Sequence, residues 1–182
     1  DTDEAIIEGV IDFDYEVSVI IARDLQGQMA VYPPVKNEHK NHILDITHYP
    51  SPLPENLQEQ AAEMARKLAD AVDLVGILAL ELFVTKDGKL LANEIAPRTH
   101  NSGHWTMDAC SVSQFENHVR AISGLHLGAT KSNGDFQMIN ILGEFPDIAL
   151  LLSKNAHVHV HDYGKTFKPH RKRGHLTFHL NN

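Results

Sequence analysis

The sequence predicts an α+β fold, and three observations carry that reading. Gly76 to Ala96, GILALELFVTKDGKLLANEIA, is an apolar β-favouring run, a tight KDG turn and a returning strand, which together make a hairpin. Val17, Val19 and Ile21 alternate with their neighbours at the period of a strand. Pro54 to Val72 and Ser113 to Gly124 repeat apolar residues at the three- and four-residue spacing of helices packed on a sheet.

Taken in order, Asp1 to Glu4 are polar and acidic, and AIIEGVIDFDYEVSVIIARD reads as a short strand, a turn and a longer strand. A glycine-containing turn at Gly27 leads to a further strand that Pro33 and Pro34 end, and Ile43 to His48 reads as an edge strand. In the first helix Leu57, Ala61, Met64, Ala65, Leu68 and Val72 form one apolar stripe, with charge on the opposite side. In the second, Ser113 is the N-cap, Glu116 stands in the capping-box position and Gly124 ends the element. Phe115, Val119 and Ile122 form its expected buried face, with His118 and Arg120 solvated. From about Ala129 the composition shifts: KSNGD is a turn or linker, FQMINILGE a strand and PDIALLLS a short helix, so the boundary between two units is placed at 128/129.

The 182 residues, 42% hydrophobic, suffice for a buried core. A net charge of −8 argues against general nucleic-acid binding, which needs a basic surface. Lys165, Lys168, Arg171, Lys172 and Arg173 nevertheless crowd together, pointing to a local anion site. No run approaches the roughly 18 apolar residues of a membrane span and no leader pattern is present, so a soluble, cytoplasmic protein with no membrane partner is expected. The single cysteine, Cys110, forms no intramolecular disulfide and reads as a small buried residue. The chain starts without methionine and reads as a piece of a longer protein.

The chemistry concentrates in Gly76 to Trp105. The hairpin brings Glu81 and Glu94 towards each other, and acids on adjacent strands repel unless a partner neutralises them. Two carboxylates and the amide of Asn93 suit Mg²⁺, which draws the rest of its shell from water and nucleotide phosphates. The same spacing also fits two acids on the solvated face of an ordinary hairpin. The loop that follows, APRTHNSGHW, is poor core material: Arg98, His100, Asn101, Ser102 and His104 are donors and acceptors suited to an anionic substrate. Alternation puts His157, His159 and His161 on one strand face, which could chelate a transition metal, but no acid or cysteine completes a credible site.

NEIAPRTHNSGHWTMDAC, then SQFENHVRAISGLHLG, resembles the N5-carboxyaminoimidazole ribonucleotide synthetases of the ATP-grasp family, and the likeness runs from about Glu8 to about Leu180. It implies that 1–128 is the second ATP-grasp subdomain, a mixed or antiparallel sheet with packed helices, and that 129–182 is the small β-rich carboxyl-terminal domain. It also implies that a Rossmann-like domain and a first ATP-grasp subdomain, with the phosphate loop, lie upstream, so that this stretch alone has negligible turnover.

By the same resemblance, the backbone of Glu8, Gly9, Val10 and Ile11 holds adenine, Glu16 holds the ribose hydroxyls, and His39, Asn93 and Glu94 contact the nucleotide. From the residues alone, Glu8 and Glu16 are ordinary strand-end acids. Glu81 and Glu94 hold Mg²⁺, with Mn²⁺ as the alternative, while Arg98, His100 and Asn101 shape a bicarbonate and carboxyphosphate pocket. YGKTFKPHRKRGH resembles the family's substrate-phosphate element, naming Lys165 and Arg171, then Lys172, beside Arg98 and Asn101 for substrate. It departs from the family at Lys168 and His170, where arginine and glycine are common, and at Thr99. The implied substrates are ATP, bicarbonate and 5-aminoimidazole ribonucleotide, and a homodimer is expected. The rival readings are another ATP-grasp ligase, such as the formate-dependent glycinamide ribonucleotide transformylase, and a non-catalytic nucleotide-binding module.

Overall fold

The computed structural model describes residues 5–180. Nine strands join in one antiparallel sheet: β1 (Phe13–Arg23), β2 (Met29–Val31), β3 (Val35–Lys40), β4 (Ile43–Tyr49), β5 (Gly76–Thr85), β6 (Leu90–Ala96), β7 (Phe136–Leu142), β8 (Val158–Asp162) and β9 (Lys172–His179). Their order is β6-β5-β1-β3-β4-β7-β9-β8, with β2 pairing the end of β1. The helices are α1 (Glu55–Ala71), α2 (Thr106–Ala109), α3 (Gln114–Ile122) and α4 (Ile148–Lys154). The sheet is continuous across residue 129, because β4 pairs with β7 over Ile46–Tyr49 and Phe136–Ile139.

Strand alternation decides what each face carries. Val17, Val19 and Ile21 of β1 and Leu78, Leu80 and Leu82 of β5 pack with Ala61, Ala65 and Ala69 of α1. Alanines on the helix let it sit close to the sheet. Ile20, Ala22, Ile77, Ala79 and Ala96 form the core of the other face. Glu81 and Glu94 share parity with Ala79 and Ala96, so both carboxylates belong to that second face.

Four expectations need correction. Residues 5–12 form no strand: Ile6, Ile7 and Val10 are 88%, 97% and 100% exposed, and no described strand hydrogen-bonds to this segment as a ladder. Ile43–His48 is no edge, since β4 lies between β3 and β7. On α3 the buried residues are Gln114, Asn117 and Ala121, while Val119 and Ile122 are exposed. The helix turns a polar face to the sheet because its partners there are the backbone of the loop at His100 and Gly128 and the hydroxyl of Tyr32. His118 and Arg120 are accordingly half-buried. The N-cap and the glycine stop hold: Ser113 Oγ accepts from the Glu116 backbone N–H at 3.2 Å, and Gly124 adopts a left-handed φ of +69°, while the Glu116 carboxylate pairs with Arg120 at 2.6 Å.

Candidate active site

The site grows out of one row across the sheet. Glu81 of β5 lies directly opposite Glu94 of β6 on one side and Ser18 of β1 on the other. Leu82 pairs with Ala92, so Asn93 is the extra residue of a β-bulge beside Glu94.

The loop after β6 closes over this row. Against expectation, it is half core: Ser102, Trp105 and Thr106 are buried, and Trp105 stacks on Tyr49 with ring centroids 4.9 Å apart. A 3₁₀ turn at Asn101–Gly103 and α2 supply the compaction. Gln114 of α3 clamps the turn, accepting from the His100 N–H at 3.0 Å and donating to the His100 carbonyl at 2.7 Å and to His104 Nδ1 at 2.9 Å. A side chain at Gly103 would put its Cβ 2.7 Å from Gln114 Oε1, which is why glycine stands there.

His100 sits where the loop meets the sheet, its Nε2 3.0 Å from Glu81 Oε1. Behind it runs a buried hydrogen-bond chain. Thr47 donates to Asn37 at 3.0 Å, Asn37 to Ser18 at 2.9 Å, and Ser18 to Ser102 at 2.7 Å; Ser102 Oγ lies 2.9 Å from His100 Nδ1. Because the Ser102 backbone N–H also points at Nδ1, that nitrogen accepts, and the proton belongs on Nε2, facing Glu81. Burial alone raises the Glu81 carboxyl, but the hydrogen bond and charge of His100, a hydrogen bond from Glu94 and the charge of His39 hold it below the ordinary carboxylate value.

Glu81, Glu94, His100, His39 and Lys172 line one cavity of about 360 Å³. Lys172, at the start of β9, donates to Asn101 Oδ1 at 3.2 Å, and Asn101 and Asn140 pair head to tail at 2.6 and 3.0 Å. Burial lowers the Lys172 ammonium, Glu81 opposes that shift, and the charges of Arg98 and Lys165 add to it. His39 Nδ1 contacts the Glu16 carboxylate, and His39 is shared with a second cavity of about 630 Å³ lined by Glu16, Tyr15 and Lys36.

Other predicted residues stand further out. Arg98 is exposed, bonded to the Thr99 carbonyl at 3.1 Å. Lys165 is exposed, its ammonium 5.1 Å from the Tyr163 ring centroid, and Arg171 is exposed, 3.3 Å from Thr166 Oγ1. Glu8, Gly9, Val10 and Ile11 lie in the exposed segment before β1. His42 and His170 also line the 360 Å³ cavity. Both hold left-handed backbones, φ +61° and +58°; at His170 that conformation explains why glycine suits the position.

Residues 1–115 match the family model described as the ATP-grasp domain. The chain belongs to the ATP-grasp family. Residues 137–182 match the phosphoribosylaminoimidazole carboxylase C-terminal domain. Among curated ATP-grasp relatives, the N5-carboxyaminoimidazole ribonucleotide synthases of Brucella melitensis and Bacillus subtilis are 49% and 44% identical, each over 95% of this chain. The chain spans about half the length of those relatives, 48% and 46%. Among solved structures, the N5-carboxyaminoimidazole ribonucleotide synthetase of Thermus thermophilus superposes with a TM-score of 0.92 at 45% identity, covering 96% of this chain and 48% of that one. The Aspergillus clavatus N5-carboxyaminoimidazole synthase, solved with ADP and 5-aminoimidazole ribonucleotide, gives a TM-score of 0.85 at 31% identity, covering 94% and 48%. The α+β architecture read from the sequence is that of this ATP-grasp fold with a small C-terminal domain.

Proposed function

We propose that the complete protein carboxylates 5-aminoimidazole ribonucleotide with ATP and bicarbonate, giving N5-carboxyaminoimidazole ribonucleotide, ADP and phosphate. The observation that carries this reading is the opposition of Glu81 and Glu94 in a cavity whose other wall holds His100 and Lys172. Oxygen donors on one side and cationic or N–H donors on the other suit a phosphoryl group in transit between two anions.

The donor set fits Mg²⁺ or Mn²⁺. Glu81 and Glu94 face each other at one register position, with Asn93 as the bulge residue next to Glu94. When bound, the ion would neutralise charge on the phosphates. The protein's own groups do the rest. His100 presents its Nε2 proton at the edge of Glu81, fixed by the chain of hydroxyls and amides behind it. Lys172 and Asn101 hold the substrate anion against the loop, and Arg98 adds positive charge at the rim. Bicarbonate attacks the γ-phosphate, ADP leaves, and the substrate amine captures the activated carboxyl group as phosphate departs. Glu8 to Ile11, Glu16 and His39 serve the nucleoside end, Lys165 and Arg171 the approach of the substrate phosphate, and the reaction belongs in the cytoplasm where ATP is made available.

The test is ADP release by the complete protein with ATP, Mg²⁺ and bicarbonate, with and without 5-aminoimidazole ribonucleotide. A rise on adding the ribonucleotide that Glu94→Gln abolishes supports the proposal. Release that responds instead to formate and glycinamide ribonucleotide, or nucleotide binding without metal or turnover, overturns it.

A further inference from the structure

Read from the sequence, the histidine-bearing strand has no acid to complete a metal site, and its own Asp162 accepts from the Gly164 N–H at 2.8 Å; the fold delivers another. β8 is the outer strand of the sheet and pairs with β9 so that His161 lies directly opposite His175. Over that pair sits α2, the helix that ends the signature loop, and its Asp108 carboxylate places both oxygens 3.1 and 3.0 Å from His161 Nε2. Asp108 is itself largely buried, at 8% side-chain exposure. His159, one alternation earlier on β8, puts Nδ1 3.6 Å from the same carboxylate.

His175 supplies the independent sign of a missing ligand. It is fully buried, and its Nε2 has no hydrogen-bond partner among the described residues. Its other nitrogen, Nδ1, lies 2.7 Å from the Tyr163 hydroxyl. In the tautomer in which Nδ1–H donates to the Tyr163 hydroxyl, Nε2 carries a bare lone pair, the form in which a metal ion takes an imidazole. A second partner that fixes the tautomer in this way is the usual support of a metal-binding histidine. One donor atom each from Asp108, His161 and His175 lies within 4.8 Å of the others. Bonds of about 2.0–2.2 Å to a tetrahedral ion bring ligand atoms to about 3.4 Å apart, so a modest closure suffices. The two imidazoles are stacked at 4.3 Å and 12°, and sharing an ion requires one to turn out of the stack. His161 is the half-exposed ring and the one with room to do so. A cavity of about 460 Å³ lined by His104, Met107, His161 and Tyr163 gives access.

We propose that Asp108, His161 and His175 form a site for a divalent first-row transition ion of the Zn²⁺ type, with His159 available as a fourth ligand, built from residues other than the Glu81–Glu94 pair. Imidazole and a single carboxylate select such ions over Mg²⁺, which prefers all-oxygen shells. The site would join α2 to β8 and β9, fastening the signature loop to the strand that carries Lys172.

The test is a titration of the chelator-treated 182-residue chain with Co²⁺, which reports imidazole coordination through visible d–d absorption, followed by competition with Zn²⁺. The expected result is one equivalent bound with an intense band that persists in Glu94→Gln. Asp108→Asn and His161→Gln should each weaken binding at least about 100-fold while circular dichroism is unchanged, and Tyr163→Phe should weaken it by about 10- to 100-fold. No stoichiometric band in the wild-type chain overturns the proposal. So does a band that survives Asp108→Asn, which would assign it to scattered surface histidines, or one lost in Glu94→Gln, which would assign it to the nucleotide site. None of these readouts depends on turnover, so the carboxylase reading and this site stand or fall separately.

Discussion

Ser18 and Glu81 are direct cross-strand partners on β1 and β5, and both reach the same imidazole: Glu81 contacts His100 Nε2 at 3.0 Å, and Ser18 reaches its Nδ1 through Ser102. His100 is therefore held from both nitrogens, with one row of the sheet at each end of the bracket. Removing the Ser18 hydroxyl leaves Ser102 without its donor and the Asn37 amide without its acceptor, in a space closed to water. Ser18→Ala should destabilise the fold by about 1–3 kcal/mol in urea unfolding. In the complete protein it should lower kcat, up to about 100-fold, with little change in KM for ATP. An unchanged kcat would show that the hydrogen-bond chain does not orient His100 for catalysis.

Gly103 tests the clamp on the other side of the loop. A methyl group there would sit 2.7–3.0 Å from three atoms of the Gln114 amide, which cannot swing away without releasing both backbone groups of His100 and the ring of His104. Gly103→Ala is expected to cost about 1–3 kcal/mol and to reduce turnover together with stability. Gln114→Ala should relieve the clash in the double variant, so that the two effects are less than additive. Additive losses would mean that the strain lies elsewhere.

Glu81 and Glu94 are legible in the sequence because a charged residue inside an apolar strand stands out against its neighbours, and the KDG turn sets the two arms opposite each other. Ser18, Asn37 and Thr47 are not legible. Each is an ordinary polar residue in a strand until the register of β1, β3 and β4 aligns them. The polar face of α3 misleads for a related reason: periodicity assigns Val119 and Ile122 to the core, whereas the helix buries Gln114 and Asn117 because its neighbours are hydrogen-bonding groups rather than methyls. Asp108 stands well over 40 residues before the strand whose histidines it meets, and only the closure of α2 over β8 brings them together. The sheet that joins residues before and after 129 depends on β4 pairing with β7, a long-range choice that local composition does not record.

His104 sets a pH dependence. Burial, then the charges of His100, Lys172 and His161, hold its pKa down at about 4 against an ordinary value of 6.5. The folded chain therefore keeps this ring neutral between pH 6.5 and 4 while the unfolded chain takes up a proton. With more protons bound in the unfolded state, stability rises with pH across that window and is lost as pH falls, by about 1.4 kcal/mol per pH unit from this group. Urea midpoints of the metal-free chain at pH 7, 5.5 and 4.5 should decline, and His104→Gln should flatten the slope. Glu81 acts lower down: with its carboxyl held below 4.5, its contribution is present above that pH and disappears as pH falls through the depressed value. A midpoint constant from pH 7 to 4.5 would refute the assignment for His104.

Lys172 and Lys165 separate the inner from the outer part of the proposed substrate site. Lys172 is half-buried, bonded to Asn101 and shares the cavity of Glu81 and His100, whereas Lys165 lies in the open over Tyr163. A charged hydrogen bond formed in a partly desolvated cavity is worth about 1.5–3 kcal/mol, or roughly 10- to 150-fold in affinity, and an exposed one much less. Lys172→Met in the complete protein should raise KM for 5-aminoimidazole ribonucleotide by that factor, with Lys165→Met changing it by no more than about fivefold. Because Lys172 also positions Asn101, Lys172→Met should lower kcat as well, and Lys172→Arg should restore part of the affinity while leaving kcat low. The reverse ranking, with Lys165→Met the more damaging, would move the substrate anion from this cavity to the open loop before β9.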